Sequence, residues 1–308
     1  MEKQIANTIL MIEPVAFGFN KETAPNNYFQ KNDNTVATYV QENALREFRN
    51  MVAKLELAGI NIIVVKDTFD PATPDSIFPN NWISFHENGN IVLYPMYAKN
   101  RRLERRSDIL DVLTSKGHKI LDIIDYTTWE NENCYLEGTG SMILDRQNKI
   151  AYAALSDRTD KTLFLKFCND LQFMPVHFIA YQNANNNRLP IYHTNVMMCI
   201  ADKYAVVCLE CIDNNSEREA VRTTIIASGK EIIEISEKQL QSFAGNMLQV
   251  ENKNAERFIV LSHTAFDSLN STQKERLSFY NHLITVEIGT IEKYGGGSVR
   301  CMMAEIFN

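Results

Sequence analysis

Short apolar runs rich in β-branched residues alternate with amphipathic helical patterns along the whole chain, in one recurring order of strand, hairpin, strand and helix. The recurrence comes roughly every 60 residues, a spacing that signals internal structural repeats. A chain of 308 residues holds about five such units. Strands are expected at Ile9–Ile12, Asn61–Val65, Ile91–Tyr94, Ser141–Leu144, Ile150–Ala154, Val196–Ile200, Ala205–Leu209 and Cys301–Ile306, among others. Two tight turns join strand pairs, Glu87-Asn88-Gly89-Asn90 and Asp145-Arg146-Gln147-Asn148. The helix over Val40–Leu57 carries Leu45, Phe48, Val52 and Leu55 near the 3.6-residue period. Similar patterns cover Leu103–Thr114, Lys161–Leu171, Ser216–Ala227 and Ser271–His282, the last with Ser271 as its cap. No Pro/Ser/Gly-rich linker divides the chain, and the most polar stretch, Asn183–Asn187, reads as an exposed loop. The expectation is one α/β domain over residues 1–308, built from repeated ββαβ units.

Composition narrows the function. A net charge of −7 argues against non-specific nucleic-acid binding, which needs basic surface to displace phosphate counterions. The apolar run Thr8–Ile12 is too short for a signal segment or a membrane span and reads as a first strand. Six cysteines, at positions 134, 168, 199, 208, 211 and 301, follow no disulfide framework, as suits free thiols in a reducing compartment. A cytoplasmic protein acting on a small molecule, without membrane or nucleic-acid partners, is expected. A homo-oligomer is compatible with the sequence.

Four stretches are chemically loaded. Cys301 follows Gly295-Gly296-Gly297-Ser298, where the absent Cβ atoms let backbone approach a ligand closely. His193 enters the run Thr194-Asn195-Val196-Met197-Met198. Glu137 precedes Gly138-Thr139-Gly140-Ser141, and Asp75-Ser76-Ile77-Phe78-Pro79-Asn80-Asn81-Trp82 brings polar groups to a Pro-broken loop before a strand. Each has a plainer role open to it. Cys301 reads equally as a buried structural thiol, His193 as a satisfied core histidine, Glu137 as a turn cap, Asn80-Asn81 as turn residues and Gly295–Ser298 as a hinge. What favours chemistry is the set: a carboxylate, a histidine and a thiol, each at the end of a strand where side chains can converge. Cys208-x-x-Cys211 has zinc-like spacing, but no second such pair follows. Metal is not expected.

These strings resemble the catalytic elements of the guanidino-group-modifying enzymes, which include arginine deiminase, dimethylarginine dimethylaminohydrolase and the amidinotransferases. The resemblance rests on Leu136-Glu137-Gly138-Thr139-Gly140-Ser141, His193-Thr194-Asn195 and Gly295-Gly296-Gly297-Ser298-Val299-Arg300-Cys301-Met302, in that order. Phe78-Pro79-Asn80-Asn81-Trp82 and Ser156-Asp157-Arg158-Thr159-Asp160 are most similar to the citrulline utilization hydrolase branch. The resemblance implies a pentein, a five-bladed α/β-propeller of pseudo-repeated ββαβ units, which agrees with the repeat reading. It casts Cys301 as nucleophile, His193 as general acid/base and Glu137 as the carboxylate that orients the imidazole. It assigns substrate contacts to Asp75, Asn80, Asn81, Arg101, Arg158 and Asn195, with Arg158 clamping an α-carboxylate and Arg101 lining the same end. No cofactor is implied.

The departures from the family pattern carry the substrate expectation. Relatives acting on guanidinium place aspartate at the position of Asn81, and arginine deiminases place another at Asn195. Here both are amides, which offer an acceptor and donors without charge. A buried cation lacking two counter-charges is poorly compensated, whereas a neutral ureido group is satisfied by amides. The resemblance and this charge argument together point to a hydrolase cleaving the ureido C–N bond of L-citrulline to ornithine, ammonia and carbon dioxide. An arginine or dimethylarginine hydrolase, an amidinotransferase and a non-catalytic pentein binding protein are the alternatives. The segment Phe17–Gln30 is the candidate cover over the substrate.

Overall fold

The structure, a computed structural model, describes residues 2–33, 35–184 and 186–307. Strand β1 (Thr8–Glu13) runs parallel to β2 (Asn61–Lys66), and α1 (Ala37–Leu57) crosses between them. The next module is the hairpin of β3 (Ile83–Phe85) and β4 (Asn90–Leu93), then α2 (Asp108–Ser115) and β5 (Asp122–Asp125), parallel to β4. A helical turn α3 (Gly138–Ser141) leads into β6 (Ile143–Asp145) and β7 (Ile150–Ala154), followed by α4 (Lys161–Asp170) and β8 (Met174–Phe178). A separate hairpin of β9 (Tyr181–Ala184) and β10 (Asn187–Pro190) precedes the third module. That module holds β11 (Met198–Ile200), β12 (Tyr204–Val207), α5 (Asn215–Ala227) and β13 (Glu231–Glu234). After α6 (Glu237–Leu240), the fourth module runs β14 (Leu248–Glu251), β15 (Arg257–Ser262), α7 (His263–Ser268), α8 (Ser271–Tyr280) and β16 (His282–Val286). Finally α9 (Gly289–Gly295) leads to β17 (Ala304–Ile306), which pairs antiparallel with β1.

The result is five three-stranded sheets of one design: an antiparallel pair, a helical crossover, then a third strand parallel to the second. Parallel pairing demands such a crossover because a tight turn can only reverse the chain. The fifth sheet is assembled from both ends of the chain, β17 beside β1 and β2. Innermost strands meet across modules: β17 lies against β3, β6 against β11, and β11 against β14. A bridge from Ala6 to Val250 ties the N-terminal segment to β14. Burial follows this order. Strands β7 and β12 are buried at every residue, while β2, an outer strand, alternates between exposed and covered positions.

Several local expectations need correction. Cys301 is not on a strand; it sits in a turn, and β17 begins at Ala304. His193 precedes a 3-10 turn, Thr194–Val196, so β11 begins at Met198. Gly138–Ser141 is a helical turn rather than the start of a strand. The cap of α8 is Asn270, whose side chain accepts from the Gln273 N–H in a capping box, because helical geometry already includes Ser271. Asn183 and Asn187 belong to the β9–β10 hairpin, although Asn185 between them lies outside the described residues. On α1 the buried stripe is Ala44, Phe48, Met51 and Leu55, with Leu45 and Val52 on its flanks. No helix among the described residues is long and apolar enough to cross a membrane.

Candidate active site

The loops that enter the innermost strands converge at one end of the ring. The 3-10 turn Pro79–Asn81 leads to β3, α3 to β6, Thr194–Val196 to β11 and the Ser298–Met302 turn to β17. Each reverses direction tightly just before its strand, which aims one or two polar side chains at a common point. Close approach between loops is set by glycine. A Cβ on Gly140 would lie 2.3 Å from Asn81 Nδ2 and 3.0 Å from the His193 ring, and one on Gly138 would lie 2.3 Å from the Asn80 carbonyl oxygen.

At that point Cys301, His193, Asp75, Asn81, Arg101 and Arg158 line one small cavity of about 10 Å³, room for a single water-sized centre. Glu137 stands directly behind His193, its Oε2 2.7 Å from the ring Nε2. Burial pushes the His193 pKa down to about 4, with Arg158 and Arg101 acting in the same direction and Glu137 against them. Burial alone would raise Glu137, but Arg158, His193 and Arg101 outweigh it and hold the carboxyl well below the usual range. At neutral pH the pair is therefore carboxylate and neutral imidazole. Nε2–H donates to Glu137, which leaves the Nδ1 lone pair as the basic site.

The thiol sits in a cradle of amides. Asn195 Nδ2 and Asn246 Nδ2 each lie 3.3 Å from Cys301 Sγ, presenting N–H to the sulfur. Asn246 is itself held, donating to the Asn195 carbonyl at 2.9 Å and accepting from the Arg300 N–H at 3.0 Å. Asn246 escaped the reading of the sequence because Gly245-Asn246-Met247 has no unusual spacing. The signal available was its place in the repeat, just before an innermost strand, as with Asn81 and Asn195.

The two arginines differ. Arg101 forms a double contact with Glu104, 2.9 Å at both oxygens, and donates to Asn81 Oδ1 at 2.8 Å. Its fork is thus committed to protein partners. Arg158 lies 3.5 Å from Glu137 and stacks near Tyr192, but the rest of its fork meets the segment over the site. There Nε donates to Asn26 Oδ1 at 2.9 Å and Nη2 to the Thr23 carbonyl at 2.9 Å. The same segment supplies Asn20 and Thr23 to Asp75 Oδ2, at 2.7 and 3.2 Å, while Asp75 Oδ1 is buried without a hydrogen-bond partner among the described residues. Burial raises the Asp75 pKa, opposed by Arg101, Asn20, Arg158 and Thr23. Asn80 stands one layer back. It donates to Thr139 Oγ1 and accepts from Asn81, which makes it a brace between loops rather than a wall of the cavity.

Gly295–Gly297 is no open hinge. All three are buried, Gly296 has a φ of +64°, and added Cβ atoms would strike Phe78 or Asn27 at 2.6–2.9 Å. Cys208 Sγ and Cys211 Sγ lie 3.0 Å apart and buried, away from the cavity. Among the described residues no group of three His, Cys, Asp or Glu side chains could hold a metal ion.

A sequence profile of the N,N-dimethylarginine dimethylhydrolase family, eukaryotic, matches residues 13–308. The chain belongs to that family. With it the chain joins the guanidino-modifying penteins, and the expected α/β fold is the fold of the molecule. Among solved structures, it resembles the substrate-bound N-terminal domain of ArgZ, an arginine dihydrolase of the ornithine-ammonia cycle in Cyanobacteria. That match has a TM-score of 0.74 and 16% identity, covering 98% of each chain. AgrE in complex with L-arginine matches at a TM-score of 0.72 and 14% identity, over 98% of this chain and 40% of AgrE. A dimethylarginine dimethylaminohydrolase adduct with S-methyl-L-thiocitrulline matches at 0.60 and 13%, covering 99% of this chain and 100% of the other. No curated protein matches the sequence. The chain is a hydrolase of this superfamily, in which Cys301 and His193 share one buried cavity.

Proposed function

We propose that this protein hydrolyses the ureido group of L-citrulline through covalent catalysis by Cys301. The observation that carries the reading is the amide cradle: the thiol is flanked by Asn195 and Asn246, and the nearby Asn81 acceptor already takes an N–H from Arg101. A guanidinium placed there would face neutral amides with a fixed arginine behind one of them. A ureido group brings a carbonyl acceptor and N–H donors and no charge, which suits amides and the unpartnered acceptors Asn195 Oδ1 and Asp75 Oδ1.

In the proposed reaction, neutral His193 takes the thiol proton at Nδ1, and Glu137 stabilises the imidazolium that forms. Sγ attacks the ureido carbon, the tetrahedral adduct collapses, and His193 returns the proton to the departing nitrogen. Water, activated by the again neutral His193, then cleaves the thiocarbamate. Either order of departure gives ornithine, one ammonia and carbon dioxide. Arg158 is positioned to take the α-carboxylate, a group of opposite charge to its own. The cavity is too small for an amino acid, so Thr23 and Asn26 must release Arg158 for substrate to enter.

The competing reading is arginine hydrolysis, favoured by the unpartnered Asp75 Oδ1 and by the name of the ArgZ relative. Assaying ammonia and amino-acid products from citrulline, arginine and dimethylarginine decides between them. Ornithine from citrulline at the highest kcat/KM supports the proposal; faster turnover of arginine or of the methylated substrate overturns it.

A further inference from the structure

The innermost strands enclose a second cavity, on the far side of the Arg300–Cys301 turn from the catalytic one. It measures about 20 Å³, and its wall includes Gln4, Thr139, Cys199, Arg146, Arg300 and Glu305. That is space for one water or one halide-sized particle, and no more.

Its charge is unbalanced. Arg146 is 3% exposed, and its guanidinium has no carboxylate in ion-pair range among the described residues. Nη1 donates to His86 Nδ1 at 3.3 Å, and the guanidinium carbon lies 4.2 Å from the centre of the Phe307 ring. Both neighbours are neutral. His86 donates its other N–H to Ser84, and its pKa is lowered well below the usual value, first by burial and then by Arg146. Nε and Nη2 of Arg146 have no hydrogen-bond partner among the described residues. Of the carboxylates that act on Arg146, Glu305 is held by Arg300 at 2.7 Å and Glu2 pairs with Lys149 through Oε1, while Glu2 Oε2 is buried without a hydrogen-bond partner among the described residues. Two guanidinium groups therefore face this cavity against one carboxylate. A buried, unpaired cation is strongly disfavoured, and the usual remedy is a counter-ion or a hydrogen-bonded partner.

We infer that this axial cavity binds one small monovalent anion of halide size, seated against the free N–H groups of Arg146 with Arg300 close by. An anion meets the need that a water meets only in part, because it supplies charge as well as an acceptor. The site is independent of the catalytic cavity, and no step of the reaction passes through it. It does touch the same scaffold: Arg300 follows from β17's entry turn, and its backbone N–H orients Asn246 under the thiol.

The test is a comparison of salts at equal ionic strength. Thermal unfolding in sodium chloride, bromide and gluconate should separate them, since gluconate screens charge equally but is too large to enter. The melting temperature is expected to rise saturably by a few degrees with the halides and not with gluconate, as binding to the native state alone requires. Arg146→Met should abolish the difference. If that variant does not fold, crystals of the wild-type protein in bromide give the answer directly, with an anomalous peak expected beside the Arg146 guanidinium. Identical melting curves in halide and gluconate, or a bromide crystal with no anomalous signal in the cavity, overturn the assignment in favour of water.

Discussion

At the scale of single residues, the site divides into groups that react and groups that hold them. Cys301→Ser is expected to abolish turnover without loss of fold, because an alcohol is a far poorer nucleophile than a thiol at neutral pH. Mass spectrometry after iodoacetamide should find Cys301 labelled first among the six cysteines, with substrate protecting it. Asn246 belongs to the second group. Replacing it by Ala removes one N–H from the sulfur and leaves the Arg300 N–H without its acceptor, which should lower kcat about 10- to 100-fold. The alkylation rate of Cys301 should fall with it, a change that a purely structural role would not produce. The acid limb of kcat/KM reports His193. Its folded pKa of about 4 lies below the ordinary 6.5, so the basic imidazole persists as pH falls and activity should fail near pH 4 rather than near pH 6.5. Glu137→Gln removes a charge that raises this pKa, so the limb should move lower still while kcat falls by roughly 10²-fold or more. A limb that stays at pH 6.5 in the wild type would show that burial does not lower the His193 pKa in the free enzyme.

At the scale of elements, each loop entering an innermost strand is legible in proportion to how much of its behaviour is local. The strands and the Asn88-Gly89 hairpin followed from apolar alternation and turn chemistry, and Gly89 takes the expected positive φ of +80°. The sequence reads Pro79–Asn81 as loop and places strand starts at Gly138–Ser141 and Val196, where the structure has short helical turns, since three or four residues cannot establish a helical period. Asn80 and Asn81 were legible as polar and adjacent; which one faces the cavity depends on the pitch of a single turn. Asn20, Thr23 and Asn26 make contacts from the covering segment that no spacing could reveal. Two predictions belong here. Gly140→Ala should displace Asn81 or the His193 ring, given contacts of 2.3 and 3.0 Å, and cost activity far more than stability. Asn81→Asp should shift the ratio of kcat/KM from citrulline towards arginine, because a desolvated carboxylate favours a cation. An unchanged ratio would remove Asn81 from the account of specificity.

For the whole molecule, the decisive feature is that the fifth sheet contains both ends of the chain. Thr8, Ile9 and Leu10 of β1 pair with Ile306, Glu305 and Ala304 of β17, so the ring is closed by strands nearly three hundred residues apart in sequence. Repeat spacing made the other four modules legible, but this one was invisible as a unit because its first strand comes last. Closure also positions the nucleophile, since Cys301 lies three residues before β17 and its turn is pinned by that pairing. A chain ending at Met303 would lose the Ala304, Ile306 and Phe307 side chains, all buried, together with the β1–β17 hydrogen bonds. At roughly 1.5–3 kcal/mol for each fully buried large apolar side chain, the two larger ones alone contribute about 4 kcal/mol, which corresponds to a melting temperature lower by about 6 °C in a domain of this size. Because the modules meet through their innermost strands, loss of one seam should weaken all five. The truncated protein is therefore expected to unfold in a single transition, with circular dichroism and tryptophan fluorescence from Trp82 and Trp129 changing together. Two separated transitions, with activity surviving the first, would show that the fifth module melts alone and that the ring is not the cooperative unit.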